Sequence, residues 1–238
     1  ILFFWVARMI LMTTYAVGKI PFETVYLHGL VRDEKGRKMS KTLGNILDPL
    51  DMTSKYGTDA TRLSLLIGAT PGNDTKLSEA KVEGLRNFAN KLWNISRFTL
   101  LNIDEPIIDA SMPEAKTLAD TWILNRTNQV VRDVTDHIEK YRFSAAGELL
   151  RDFTWGELAD WYVEIAKVEG NKSAVLNYVL NTVLTLWHPY MPYVTEAIWT
   201  EVYGEKSMLM VADWPTTVDT ESTSYFDTLK NVITSIRS

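Results

Sequence analysis

Apolar residues recur at helical spacing along most of the chain, and the pattern changes character near Ser78. Beyond it, the period of about 3.6 predicts long helices at about 79–101, 117–141, 144–168 and 171–188. A shorter helix is expected at about 193–203, and a last one over Tyr225–Arg237. Ser144, after Phe143, reads as a helix cap with a hydrophobic neighbour. Gly170 separates the third long helix from the fourth, and Pro189 and Pro192 stop the fourth. Short connections between such helices describe a bundle.

Before Ser78 the pattern is mixed. Ile1–Gly18 is an apolar run with one charge, Arg8. A membrane span is rejected because Arg8 sits near its middle, where a lipid-facing charge is costly. A signal peptide is rejected because no basic lead or small-residue cleavage site is present. The run is expected to be a buried helix, and a chain opening inside it on Ile1 reads as a piece of a longer protein. Thr24–His28 is rich in β-formers and bounded by Gly29, which predicts a strand. Gly29–Lys38 reads as a hairpin turning near Asp33–Gly36, and Lys38–Asn45 as a loop. Asp48 with Pro49 opens a short helix. Thr58/Asp59 starts another, ending near Gly68, and Thr70–Asp74 is a turn cluster.

Composition narrows the chemistry. The 238 residues are 46% hydrophobic and 23% charged, as in an ordinary globular protein of one or two domains. With no cysteine, disulfide partners, Cys-ligated zinc and thiol catalysis are excluded. His28, His137 and His188 match no metal-ligand spacing, so no metal site is expected. The net charge of −5 excludes a generally basic nucleic-acid binder but leaves room for a local basic patch.

Such a patch exists. Between Arg32 and Lys41, five cations (Arg32, Lys35, Arg37, Lys38, Lys41) face two acids, Asp33 and Glu34. Within it, Lys38-Met39-Ser40-Lys41-Thr42 precedes Leu43-Gly44-Asn45. Two lysines three apart with a hydroxyl between them can surround a polyphosphate, and the glycine allows close backbone approach. The plain alternative is a solvated basic turn.

A second candidate surface lies on the helix at 79–101. At about 100° per residue, Leu85, Phe88, Ala89, Leu92, Ile95 and Ser96 share one face. Arg86, Asn87, Asn90, Lys91, Asn94, Arg97 and Phe98 share the other. Arginine and lysine can take phosphates, asparagine can read base edges and Phe98 can stack, so this face could hold single-stranded RNA. The alternative is a solvated face with Phe98 packed on a neighbour. Trp155, Trp161, Tyr162, Trp187 and Trp199 fall at helical spacing and read as packing residues.

The string KMSKT-LGN resembles the KMSKS loop of class I aminoacyl-tRNA synthetases, with Thr42 where serine is usual. ILFFWVARM, HGLVRDEKGRKMSKTLGN, DPLDMTSKYGTDATRLSLL and RNFANKLWN together resemble the valyl enzymes. FTWGELADWYVEIAK and WHPYMPYVTEAIW are similar to the helical domain that valyl, isoleucyl and leucyl enzymes share. TDATR matches the family's DALR element, with Thr61 in place of leucine. The resemblance covers essentially the whole chain.

It implies a mainly α fold: the end of a Rossmann-type α/β catalytic domain with its KMSKS loop (1–77), an α-helical anticodon-binding bundle (78–215), and the start of a C-terminal helical extension (216–238). It implies a cytoplasmic enzyme that activates valine with ATP and Mg2+ and transfers it to tRNA(Val). Lys38, Ser40 and Lys41 would stabilise the pyrophosphate as catalytic groups. His28, Gly29, Lys38, Met39, Ser40, Lys41 and Thr42 would surround ATP, Trp5 would wall the valine pocket, and the polar face at 79–101 would meet the anticodon. Trp5 and His28 also have plain readings, as a core residue and a satisfied strand-end histidine. The family's other ATP-binding half and its editing insertion lie outside the resemblance, so the fragment alone is expected to be inactive and to bind no cofactor tightly. An isoleucyl enzyme, a non-catalytic helical RNA-binding module and a purely structural helical domain are the competing readings.

Overall fold

Long amphipathic segments bury their apolar faces only against one another, and the helices after residue 78 do so here. The computed structural model describes residues 1–108, 110–218 and 225–237. Five long segments form the bundle: α4 (Glu79–Leu100), α5 (Leu118–Glu139), a continuous run of α6 (Phe143–Asp152), a π-helical stretch (Phe153–Tyr162) and α7 (Val163–Glu169), then α8 (Ser173–Trp187) and α9 (Pro192–Tyr203). Phe88, Leu92, Trp122, Ile123, Leu150, Phe153, Tyr162 and Trp187 are essentially removed from solvent and form the centre of the core. α10 (Tyr225–Arg237) docks on α5, with Phe226 stacked on Trp122 at 4.4 Å between ring centroids.

The helix boundaries follow local chemistry. Ser78 caps α4 by accepting the Lys81 N–H. Thr117 and Asp120 form a reciprocal capping box at the start of α5. Asp48 caps α2 (Pro49–Tyr56), with Pro49 in the first turn as expected. Ser144 is not a cap: its helix begins one residue earlier, and its hydroxyl instead accepts the Gly68 N–H at 2.7 Å and donates to Glu148 at 2.8 Å. The helix expected over 144–168 is present but loosens to π geometry across Phe153–Tyr162, which a periodicity of 3.6 does not reveal.

Before Ser78 three expectations are corrected. α1 (Ala7–Val17), with the π turn Leu2–Val6 before it, is helical but not buried. Val6 alone is covered there, while Phe3, Trp5, Leu11 and Tyr15 are exposed. Apolar composition marks a face suited to burial, not the partner that buries it. Thr24–His28 forms no strand and has no regular secondary structure. The pairing falls later, between β1 (Val31–Arg32) and β2 (Thr75–Lys76), parallel, with Val31 opposite Thr75. The expected hairpin shrinks to a turn closed by a single antiparallel bridge between Arg32 and Lys38.

α3 (Thr58–Leu66) joins the loop-bearing part to the bundle. The N-terminus of α9 has no capping side chain of its own, and its free N–H groups are capped from a distance. Asp59 accepts the N–H of Tyr193 at 3.2 Å and of Val194 at 2.6 Å, and Arg62 donates to the Pro189 carbonyl at 3.3 Å. Asp59→Ala should therefore destabilise the fold by about 1–2 kcal/mol, with Asp59→Asn costing less because asparagine also caps. Urea unfolding monitored by circular dichroism checks this, and equal stabilities for the alanine variant and the parent would refute it.

Candidate nucleotide loop and helical RNA face

The short parallel pair β1–β2 sets the base of the loop. Leu30 and Arg32 carbonyls accept the N–H groups of Thr75 and Leu77 at 3.0 and 2.9 Å. The Asp74 carboxylate accepts the Leu30 N–H at 2.8 Å and Arg32 Nε at 2.5 Å, and these bonds hold its pKa below the usual range. Gly29 lies against this crossing: a Cβ there would sit 1.8 Å from the Asn73 carbonyl oxygen. The glycine is thus required by a backbone neighbour within the chain. His28 is exposed, with Nδ1 2.9 Å from the Gly29 oxygen.

From β1 the chain turns through Glu34–Gly36 and returns to Lys38. Asp33, only 7% exposed, collects the donors of this turn. Its Oδ1 accepts the Arg37 N–H at 2.7 Å, and its Oδ2 accepts Arg37 Nε and Asn45 Nδ2, both at 2.8 Å. The Asn45 bond leads in stabilising the ionised form, with Arg37 adding to it, and the pKa falls to about 2. Ser40 caps a 3-10 turn over Lys41–Leu43 by accepting the Leu43 N–H at 3.2 Å, and Gly44, at φ 61°, ends it. Met39 packs inward, anchoring the loop on the core.

This arrangement leaves Lys38, Lys41 and Thr42 exposed. Neither lysine is in an ion pair among the described residues, whereas Arg32 and Arg37 both are. The Ser40 hydroxyl, although it accepts one bond, keeps its proton free to donate. The loop therefore presents two uncompensated ammonium groups and a hydroxyl, a set suited to polyphosphate oxygens. A cleft of about 330 Å³ lies between the loop base and the start of α4, lined by Asp33, Glu34 and Glu79 together with Lys35 and Arg37, but by neither Lys38 nor Lys41. Trp5 is 60% exposed, with the Arg8 guanidinium 5.6 Å from its ring centre. No described hydrogen bond, ion pair or ring contact joins residues 1–18 to the loop.

On α4 the division into two faces is clear. Leu85, Phe88, Leu92, Ile95 and Ser96 are buried, while Asn87, Asn90, Asn94 and Arg97 are exposed and Arg86, Lys91 and Phe98 are half-buried. The adjoining segment 153–169 changes its electrostatics by bringing acids alongside. Lys91 lies 3.6 Å from Asp160 and over the Trp155 ring at 5.1 Å. Phe98 is covered by Lys167 Nζ at 4.9 Å, and Lys167 itself pairs with Glu164 at 2.5 Å. Arg86 reaches Glu83 at 3.4 Å and lies over the Tyr56 ring. Arg97 forms no ion pair among the described residues. Asp160, Glu164 and Lys167 escaped sequence reasoning because they lie on a different helix.

Comparison with known proteins places these features in a family. Residues 1–78 match the family model described as tRNA synthetases class I (I, L, M and V), and residues 120–238 match the anticodon-binding domain of tRNA ligase. Valine–tRNA ligases of Dehalococcoides mccartyi strain CBDB1 and Bacillus anthracis are 46% and 44% identical over the whole chain; that of Clostridium acetobutylicum is 48% identical over 91% of it. The chain spans only 29%, 28% and 26% of their lengths, respectively. Among solved structures, the Agrobacterium radiobacter K84 LeuRS–tRNA–LeuAMS ternary complex aligns with a TM-score of 0.72 at 20% identity, covering 95% of this chain and 32% of that one. Mycobacterium tuberculosis methionyl-tRNA synthetase bound by methionyl-adenylate aligns at 0.56 with 20% identity, covering 83% and 43%. The match over residues 120–238 shows that the chain belongs to the anticodon-binding-domain family of tRNA ligases, and the match over residues 1–78 joins to that bundle the end of a class I tRNA synthetase catalytic domain.

Proposed function

We propose that this chain is the part of a valine–tRNA ligase that stabilises phosphate charge during valine activation and holds tRNA(Val) by its anticodon. The observation that carries the first half is the pair of exposed, unpaired lysines, Lys38 and Lys41, flanking the Ser40 hydroxyl on an ordered loop. Activation joins the valine carboxylate to the α-phosphate of ATP and expels pyrophosphate. Negative charge grows on the bridging and β-phosphate oxygens as that bond breaks, and the two ammonium groups and Ser40 Oγ would stabilise it there. Met39 and Thr42 complete the loop, with His28 and Gly29 on the adenine side and Trp5 walling the valine side chain. Mg2+ would arrive with the ATP phosphates, since no group of three or more His, Asp or Glu residues suited to a metal exists among the described residues. No helix there is long and apolar enough to cross a membrane, and an enzyme fed by ATP and tRNA fits the cytoplasm. The domain limits proposed are 1–77, 78–215 and 216–238, with 219–224 and 238 outside the described residues.

The deciding experiment is valine-dependent ATP–pyrophosphate exchange and tRNA(Val) charging by the complete protein. Exchange driven by isoleucine rather than valine would favour the isoleucyl reading, and tRNA binding without exchange would favour a non-catalytic module. For the bundle, the exposed cation Arg97 and its neighbours Asn94, Asn90, Asn87, Arg86, Lys91 and Phe98 are the proposed anticodon surface. Arg97→Ala is expected to weaken tRNA binding and to reduce the slope of log affinity against log salt by about one. Filter binding over a range of salt concentrations reads the slope, and an unchanged slope would move the tRNA off this face.

A further inference from the structure

The loop lysines are held through their backbone by a neutral side-chain amide. Asn45 spans the loop from behind: its Oδ1 accepts the Ser40 N–H at 2.9 Å, and its Nδ2 donates to the Lys38 carbonyl at 3.3 Å. The backbone is thus fixed on both sides of Met39, at Lys38 itself and at the residue before Lys41. Asn45 is in turn oriented by the buried Asp33 carboxylate, which also closes the preceding turn through Arg37. Every donor facing Asp33 needs an oxygen, so an amide in its place would turn one acceptor into a donor.

We propose that Asp33 and Asn45 form a latch that positions Lys38, Ser40 and Lys41 for the activation step, acting through the loop backbone and not by touching substrate. This rests on the assignment of valine activation to the lysine loop. Without the latch, the Lys38–Asn45 segment keeps its charges but loses its fixed path, and they must be ordered in each catalytic cycle. A misplacement of about 1 Å far from the chemistry can cost about 100-fold.

The test uses the complete ligase. Asp33→Asn and Asn45→Ala are expected to lower the turnover number of ATP–pyrophosphate exchange at least about 10-fold while leaving the valine Michaelis constant within about threefold. Each latch substitution is then repeated in a Lys38→Ala/Lys41→Ala background, where its effect should be much smaller because two of the three groups it positions are gone. Full additivity in that background would overturn the latch, as would parental turnover in both single variants. If Asp33→Asn fails to fold, Asn45→Ala decides by the same two readouts, since it leaves the buried carboxylate in place. The lysine-free background also separates the two claims. If it activates valine at the parental rate, the role given to the lysine loop falls; if it is crippled while both latch variants turn over normally, only the latch falls.

Discussion

Lys41→Ala in the complete ligase is expected to lower the turnover number of valine-dependent ATP–pyrophosphate exchange by about 100- to 1,000-fold, with the valine Michaelis constant nearly unchanged. Lys41 is exposed at the first position of the 3-10 turn that Ser40 caps and Gly44 ends, and no carboxylate among the described residues neutralises it. Its ammonium is therefore available to phosphate and held by ordered backbone. An interaction that strengthens as the pyrophosphate leaves raises the rate, whereas one equally strong with intact ATP only tightens binding. Lys38→Ala should act in the same direction. If both variants raise only the Michaelis constant for ATP and keep their turnover, the loop grips the ground state and the transition-state role is wrong.

The sequence was most legible where one local rule decides the outcome. The periodic segments after Ser78 became helices within a few residues of the expected ends, because caps such as Ser78 and Thr117 and breakers such as Gly170 act over a single turn. The failures needed partners distant in sequence. Ile1–Gly18 has the composition of a core helix, yet nothing among the described residues covers most of it. Thr24–His28 has strand propensity, but the short ladder forms three residues further on, at Val31–Arg32, where Asp74 pins Leu30 and Arg32 in place. The parallel strand Thr75–Lys76 is two residues long and too brief to leave a period.

The candidate site divides in the same way. The lysines and Ser40 were readable as a motif, but the residues that shape their loop were not. Asp33 entered the sequence reading only as the start of a turn and a charge set against a basic stretch, and Asn45 as the end of a loop and of the LGN string. A buried acid within a basic run, followed twelve residues later by a side-chain amide beside a glycine, is the signal that points to them. Taken alone, α4 carries no acid between Arg86 and Arg97. The packed neighbour supplies Asp160 and Glu164, so Lys91 and Lys167 would have to exchange protein carboxylates for phosphates if RNA bound the proposed face. That exchange lowers the affinity to be expected from them and leaves Arg97 as the least encumbered cation of the face.

The largest expected effect on stability belongs to a lysine far from the loop. Gly170, at φ 65°, and Asn171, at φ 53°, turn the chain between α7 and α8 so that Lys172 enters the bundle with its side chain only 4% exposed. There its Nζ meets Asp120 Oδ1 at 2.8 Å, Thr117 Oγ1 at 3.0 Å and Glu169 Oε2 at 2.5 Å, which uses all three of its donors. Asp120 is equally well satisfied: Tyr162 OH donates to Oδ1 at 2.8 Å, and the N–H groups of Lys116 and Thr117 donate to Oδ2 at 3.1 Å. Burial by itself pushes the Asp120 pKa up, but the hydrogen bonds from Lys172 and Tyr162 outweigh it and hold the carboxyl below its usual value. Removing one partner of such a buried pair leaves an uncompensated charge, so Lys172→Met should destabilise the fold by about 3–5 kcal/mol at pH 7. The sign with pH follows from the lowered carboxylate pKa. Its contribution is present above the unfolded value, near 3.8, and is lost as pH falls through the folded one. The deficit of Lys172→Met relative to the parent should therefore be largest at neutral pH and shrink as pH falls, first because the buried carboxyl left unpaired in the variant takes up a proton, and then, below 3.8, as the parent's Asp120 begins to do so. Urea unfolding at pH 7 and pH 3 measures both points. A deficit that stays the same at the two values would mean that Lys172 acts through the packing of its aliphatic stem and not through its charge.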